Sequence, residues 1–144
     1  MKYLNKKSSA VLQKLIDCMS DPAYAKTMGS FAKIEKADSC FMPVSIEKLH
    51  HIPPFDNHIA VSHTYVENGD LMRDPEIEFV SKEGNFHPIS FRQDNMGIHQ
   101  EVFEYSDVDG RPVKYNPSLL NDLVEFANMW MLNINEQQEL GAEV

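Results

Sequence analysis

A chain of 144 residues, 42% hydrophobic and 24% charged, suits one domain with a sizeable core, and none of its apolar runs reaches the ~20 residues needed to cross a bilayer. The net charge of −9 is uneven: residues 1–50 carry eight lysines against five acids, and the remainder carries five Lys or Arg against seventeen acids. That balance disfavours direct non-specific nucleic-acid binding by the central and C-terminal parts.

The N-terminus is basic, but Gln13, Lys14 and Asp17 interrupt its apolar positions, so no secretory signal is expected. Ser8 or Ser9 can cap a helix whose apolar positions Val11, Leu12, Leu15, Ile16 and Met19 keep helical spacing, and Asp21-Pro22 ends it. Lys2, Lys6, Lys7 and Lys14 then read as a solvated face. Phe31–Lys36 and Phe41–Leu49 read as strands, with Pro43 favouring an edge position for the second. Residues 50–54, His-His-Ile-Pro-Pro, form a loop, because consecutive prolines cannot join a ladder.

From Ala60 to Asp94 polar and apolar residues alternate with period two between Asn-Gly and Glu-Gly-Asn turns, the pattern of a β-meander. A first strand near 58–66 puts Ile59, Val61, His63 and Tyr65 on one face and Ala60, Ser62 and Thr64 on the other. A second, near 76–81, sets Ile77 and Phe79 against Glu76 and Glu78. Phe86–Gln93 follows, with His87 assigned to the face of Ile89 and Phe91, then a long strand Ile98–Tyr105 and a hairpin to Val113–Tyr115. Asn116 and Pro117 are a good N-cap and first helical residue for a C-terminal helix with a wide apolar stripe from Leu119 to Ile134. The expected fold is therefore α+β over a single domain 1–144: an antiparallel meander of four to six strands packed against N- and C-terminal helices. An edge strand or the final helix leaves a homodimer open.

Two cysteines, Cys18 and Cys40, without CxxC spacing fit reduced thiols in a cytoplasmic protein. Six histidines invite a metal reading, yet no HExxH and no Cys-His spacing supports it, so no metal and no cofactor is expected. A restriction-type nuclease pattern fails because Val80 stands where its lysine would be. A calcium loop from Asp107 fails at Pro112 and Ser118. His63 shares the apolar parity of its strand and reads first as a satisfied core histidine, second as a base oriented by Asp70 or Asp74.

The segments HTYVENGDLMRDPEIEF and PISFRQDNMGIHQE carry a further signal: His63, Tyr65, Asn68-Gly69-Asp70, Asp74-Pro75-Glu76, Gln93-Asp94, Gly97 and Gln100-Glu101. Over roughly 40–105 the chain resembles a family of bacterial domains of unknown function, with Thr64 in place of the family's first aromatic. The resemblance implies a setting on conjugative elements, plasmids and phages.

The function expected is that of a non-enzymatic, protein-binding accessory domain. Its candidate binding residues are His63, Tyr65, Asn68, Asp70, Asp74, Glu76, Gln93 and Asp94. Two alternatives stand beside it: a small enzyme or ligand-binding domain using His63, Asp70 and Asp74, and an acidic DNA mimic.

Overall fold

A computed structural model describes residues 1–37 and 39–142. In chain order the elements are α1 (Lys6–Cys18), β1 (Ala25–Thr27), β2 (Phe31–Ile34), β3 (Val44–Lys48), β4 (Asn57–Glu67), β5 (Asp70–Lys82), β6 (Asn85–Gln93), β7 (Ile98–Glu101), β8 (Phe103–Tyr105), β9 (Pro112–Tyr115) and α2 (Pro117–Gln137). Strands β1 to β7 form one antiparallel sheet in sequence order, and β8–β9 is a separate ribbon. The α+β meander with a helix at each end is as expected. It runs to seven strands rather than four to six, with the short β1 adding an edge beyond Phe31–Ile34 and β7 forming the first half of the expected strand Ile98–Tyr105.

Each helix begins where a side chain satisfies its first free N–H groups. At α2 that residue is Asn116, whose Oδ1 accepts from the Leu119 N–H at 3.1 Å. At α1 it is Asn5, accepting from the Ser8 N–H at 2.9 Å, and not Ser8 or Ser9. Ser8 is instead fully buried and donates its hydroxyl to the Asn128 carbonyl of α2 at 3.0 Å. Asn128 Oδ1 in turn accepts from the Asn5 N–H at 3.0 Å, so the two helices are pinned to each other.

Both helices cover the same face of the sheet. The register aligns Ala32, Ile46, Val61, Ile77 and Phe91 in one row across β2 to β6. Against these residues pack Val11, Leu12 and Leu15 of α1 and Ala127, Trp130, Met131 and Ile134 of α2. A second apolar cluster joins Ile52 and Phe55 of the 49–56 loop to Val80, Ile89, Val102, Phe103 and the first turns of α2.

Two bulges interrupt the period-two pattern in the central strands β4 to β6. His63 alone stands opposite both Asp74 and Pro75, since Ser62 pairs with Glu76 and Thr64 with Arg73. Glu78 pairs with Ser90 and Phe79 with Pro88, which leaves Ile89 as the extra residue of β6. His87 consequently does not share the face of Phe91. It pairs with Val80, packs against Phe55 and Tyr3, and bonds the Lys2 carbonyl at 2.7 Å. Pro43 is no edge residue either: it precedes β3, which lies inside the sheet between β2 and β4. The expected strand 98–105 breaks at Val102, where the chain leaves β6 and begins pairing with β9.

Replacing Phe79, fully buried in the main cluster, by Ala should cost about 3–5 kcal/mol of unfolding free energy, and Ser8→Ala about 1–3 kcal/mol. Denaturant titration reads both; a Phe79→Ala loss below about 1 kcal/mol would contradict the packing described.

Candidate functional site

α1 and α2 pack on one side; among the described residues no helix covers the groove region of the opposite face, whose far end, at His58 and Val80, lies under the 49–56 loop. The side chains of that face follow from register. One row runs Phe31, Glu47, Ala60, Glu78, Ser90 and Glu101; the next runs Lys33, Ser45, Ser62, Glu76, Arg92 and His99. Small residues occupy the middle strands and larger ones flank them, which makes a groove of about 440 Å³. Ala60 and Ser62 lie on its floor and are only 5% and 6% exposed, shaded by walls that include Phe31, Leu71, Arg73 and Glu76. The bulge opposite His63 is what brings Arg73 and Glu76, three apart in sequence, onto this one face.

The cations beside the groove are already committed. Asp94 sits in a 3₁₀ turn (Asp94–Met96) and accepts from the Arg73 backbone N–H at 2.9 Å and from Arg73 Nε at 3.1 Å. Its other oxygen accepts from Arg92 Nε at 3.1 Å. The backbone bond first, and then the two guanidinium groups, hold the Asp94 carboxyl below its ordinary value. Among the described residues Glu76 has no such partner. Burial pushes its carboxyl up, with the charges of Glu78 and Glu47 adding to the effect and Arg73 and Arg92 opposing it.

Further along the same face a cleft of about 560 Å³ opens between the 50–53 loop and the β8–β9 ribbon. His58, 2% exposed, places Nδ1 2.8 Å from the His50 carbonyl and Nε2 2.6 Å from Glu78 Oε1. Both ring nitrogens face acceptors, so the site favours the protonated ring, which can donate from both. Burial opposes that charge, but the bonds to Glu78 and His50 outweigh it and raise the pKa of His58 above its ordinary 6.5. Glu78 is held below its ordinary value, chiefly by His58, against burial and with help from the Ser90 hydroxyl, which donates to its second oxygen at 3.0 Å. Burial, Glu101 and Glu78 push the Tyr105 phenol up to about 12, so it remains a protonated donor at neutral pH.

This network contains serine, histidine and a carboxylate with the carboxylate in the middle. A nucleophile needs the histidine between serine and acid, with a ring nitrogen available to take the proton. Here neither His58 nitrogen is available, and the arrangement ties the 50–53 loop to the sheet. Sequence parity puts Glu78 opposite Ile77 and Phe79, but its pairing with His58 and Ser90 depends on the β4–β5–β6 register, which carries no local sequence signal.

The residues singled out from sequence disperse into five places. His63 lies beneath α2, 5.5 Å from the Trp130 ring, with Nδ1 3.1 Å from the Pro43 carbonyl. Burial lowers its pKa in spite of the Asp74 charge, the behaviour of a neutral core histidine. Asp74 accepts from Gln93 Nε2 at 2.7 Å and, like Gln93, belongs to a strand rather than a turn. Asn68, at φ 53°, makes the β4–β5 turn with Gly69, and exposed Asp70 opens β5 there, so neither joins His63 in a pocket. Tyr65 pairs with Met72 and is half-buried. Only Glu76 lines the groove, with Asp94 binding Arg73 of its wall and the adjacent Arg92.

A one-sided meander with both helices on its apolar face and a polar groove on the other defines a small α+β domain. The chain belongs to the family described as Domain of unknown function (DUF6908), whose model matches residues 12–140. No curated protein and no solved structure gives a match. Among the described residues no helix is long and apolar enough to cross a membrane, and no three His, Cys, Asp or Glu side chains gather in an arrangement suited to a metal ion.

The His58–Glu78 pair sets a pH window for stability. Glu78, with its pKa depressed on folding, contributes fully above its ordinary 4.5 and loses that contribution as pH falls through its folded value. His58, with its pKa raised, contributes fully below 6.5 and loses that contribution as pH rises through its folded value. The pair is therefore strongest between 4.5 and 6.5. Relative to native protein, Glu78→Gln should be most destabilised inside that window, as measured by chemical denaturation across pH; a difference independent of pH would contradict the pairing.

Proposed function

We propose that this protein is a non-enzymatic accessory domain of a mobile genetic element, working in the cytoplasm, and that it binds a partner protein through the face of the sheet opposite its helices. The observation that carries the reading is the groove over Ser45, Ala60 and Ser62, edged by the carboxylates Glu47 and Glu76. Among the described residues neither glutamate makes an ion pair, although Arg73 and Arg92 stand near Glu76. A polar face left with unpaired carboxylates suits electrostatic recognition, which contributes specificity and association rate.

The enzyme reading has less support. His63 is sequestered under Trp130, and the His58–Glu78–Ser90 network has no ring nitrogen to spare. The DNA-mimic reading is weakened by Lys33, Arg73 and Arg92 on the same face and by the bond of Glu78 to His58. The mobile-element setting rests on the motif resemblance, and genes flanking this one in its genome test it directly.

The interaction is tested with tagged native protein and the double variant Glu47→Lys/Glu76→Lys, with Glu125→Lys on the exposed side of α2 as control. Glu78 is avoided because reversing it would break the His58 network. A partner recovered by native protein and by the α2 control, and lost by the double variant, is the expected result. Equal recovery by all three would remove the sheet face from consideration.

A further inference from the structure

We infer that the groove on the bare sheet face seats one cationic side chain, an arginine or lysine projecting from a partner protein, between Glu47 and Glu76. The inference rests on the interaction reading above and names what that surface recognises. Three features converge on it.

The first is shape. Ser45, Ala60 and Ser62 make a floor of small side chains, and Phe31 and Leu71 supply apolar wall, in a space of about 440 Å³. A lysine or arginine combines an apolar stem with a charged head, and such a side chain lays its stem on apolar surface while its head meets charge. The second is the position of the two carboxylates. Glu47 pairs with Ala60 on one side of β4, and Glu76 pairs with Ser62 on the other, so their backbones lie two strands apart, roughly 10 Å across the sheet. Each faces the space over β4, and the charge of Glu47 acts on Glu76 across it.

The third feature is the fate of the local cations. Arg73 and Arg92 are the groups best placed to neutralise Glu76, yet Asp94 takes the Nε of both, and its own position is fixed by the Arg73 backbone N–H. Lys33, at the other end of the groove, pairs with Glu35 at 3.7 Å. Glu76 is thus left half-buried: Arg73, on the same groove wall, attracts it more strongly than Glu78 repels it, yet among the described residues no cation bonds its carboxylate, and the like charges of Glu78 and Glu47 still act on it. An arriving guanidinium or ammonium would relieve that repulsion, and a guanidinium could span both carboxylates with paired N–H donors.

The test is an NMR titration of the full-length protein with a five-residue capped peptide carrying one arginine among alanines, alongside its lysine, citrulline and glutamate counterparts. Arginine and lysine peptides should shift the backbone amides of Ala60, Ser62, Thr64 and Glu76, whereas the uncharged citrulline peptide should bind at least about fivefold more weakly. Glu76→Gln, and separately the exposed Glu47→Gln, should each weaken the arginine peptide by about fivefold. Asp94→Asn should also weaken it, although Asp94 does not line the groove, because Arg73 and Arg92 then turn to Glu76. Equal binding of citrulline and arginine peptides, or shifts confined to other surfaces, would overturn the inference. If the arginine peptide is silent while Glu47→Lys/Glu76→Lys still loses the partner, the occupant is wrong and the interaction face stands. If the peptide binds in the groove while partner recovery is unchanged by the reversals, the seat is real and the interaction reading fails.

Discussion

Burial of a single face of the sheet, by two helices that also bond to each other, is the constraint on which the other features rest. Ser8 and Asn5 of the N-terminal segment reach Asn128 of α2, so both helices must sit on the same side. Apolar residues from five strands then have one place to go, and the row Ala32, Ile46, Val61, Ile77 and Phe91 fills it. Burial of each large side chain in such a row is worth about 1.5–3 kcal/mol, far more than any surface ion pair. The alternate positions fall on the other face, where the 49–56 loop covers Val80 and His58 while Glu47, Glu76, Arg92 and Glu101 keep access to solvent. An antiparallel sheet tolerates this arrangement because its second face can be solvated.

The same constraint explains which parts of the fold were legible in the sequence. Period-two alternation through Ile59, Val61 and His63 and the Asn116-Pro117 helix start are local signals, and both were readable. The α1 cap was misassigned because Ser8 and Ser9 are also good capping residues, and only tertiary packing commits Ser8 to Asn128. The bulges were not legible either. Asp74-Pro75 has the composition of a turn, yet it lies within β5 opposite His63, and Ile89 is an extra residue whose effect on the faces of His87 and Phe91 appears only with a partner strand. Bulges change parity without changing composition, so a periodic reading passes over them.

The candidate site was readable to a smaller extent for the same reason. Glu76 and Asp94 were singled out from a dense polar motif, and they do act in one region, Glu76 at the groove and Asp94 through the arginines beside it. His63, Asp74, Asn68 and Asp70 belong to the same motif but serve the core, a strand-to-strand bond and a hairpin. The floor residues Ser45, Ala60 and Ser62 have no motif at all; they become a groove only when β3, β4 and β5 are placed side by side. Likewise, the His58–Glu78–Ser90 network spans three strands and depends on register alone.

Within this arrangement charge placement matters more than charge count. Asp94 holds two arginines near but off Glu76, and His58 neutralises Glu78, so the acidity of the face concentrates at Glu47 and Glu76 rather than spreading evenly. The most direct measurement of one-sided burial is thiol labelling of single-cysteine variants in a background where Cys18 and Cys40 are replaced by serine. Cysteine at position 92, half-exposed on the groove face, should react many-fold faster than cysteine at 77, which is fully buried next to the cross-strand partner of 92 and should react only through unfolding. Comparable protection at both positions would mean that the sheet is covered on both faces, and would contradict the account.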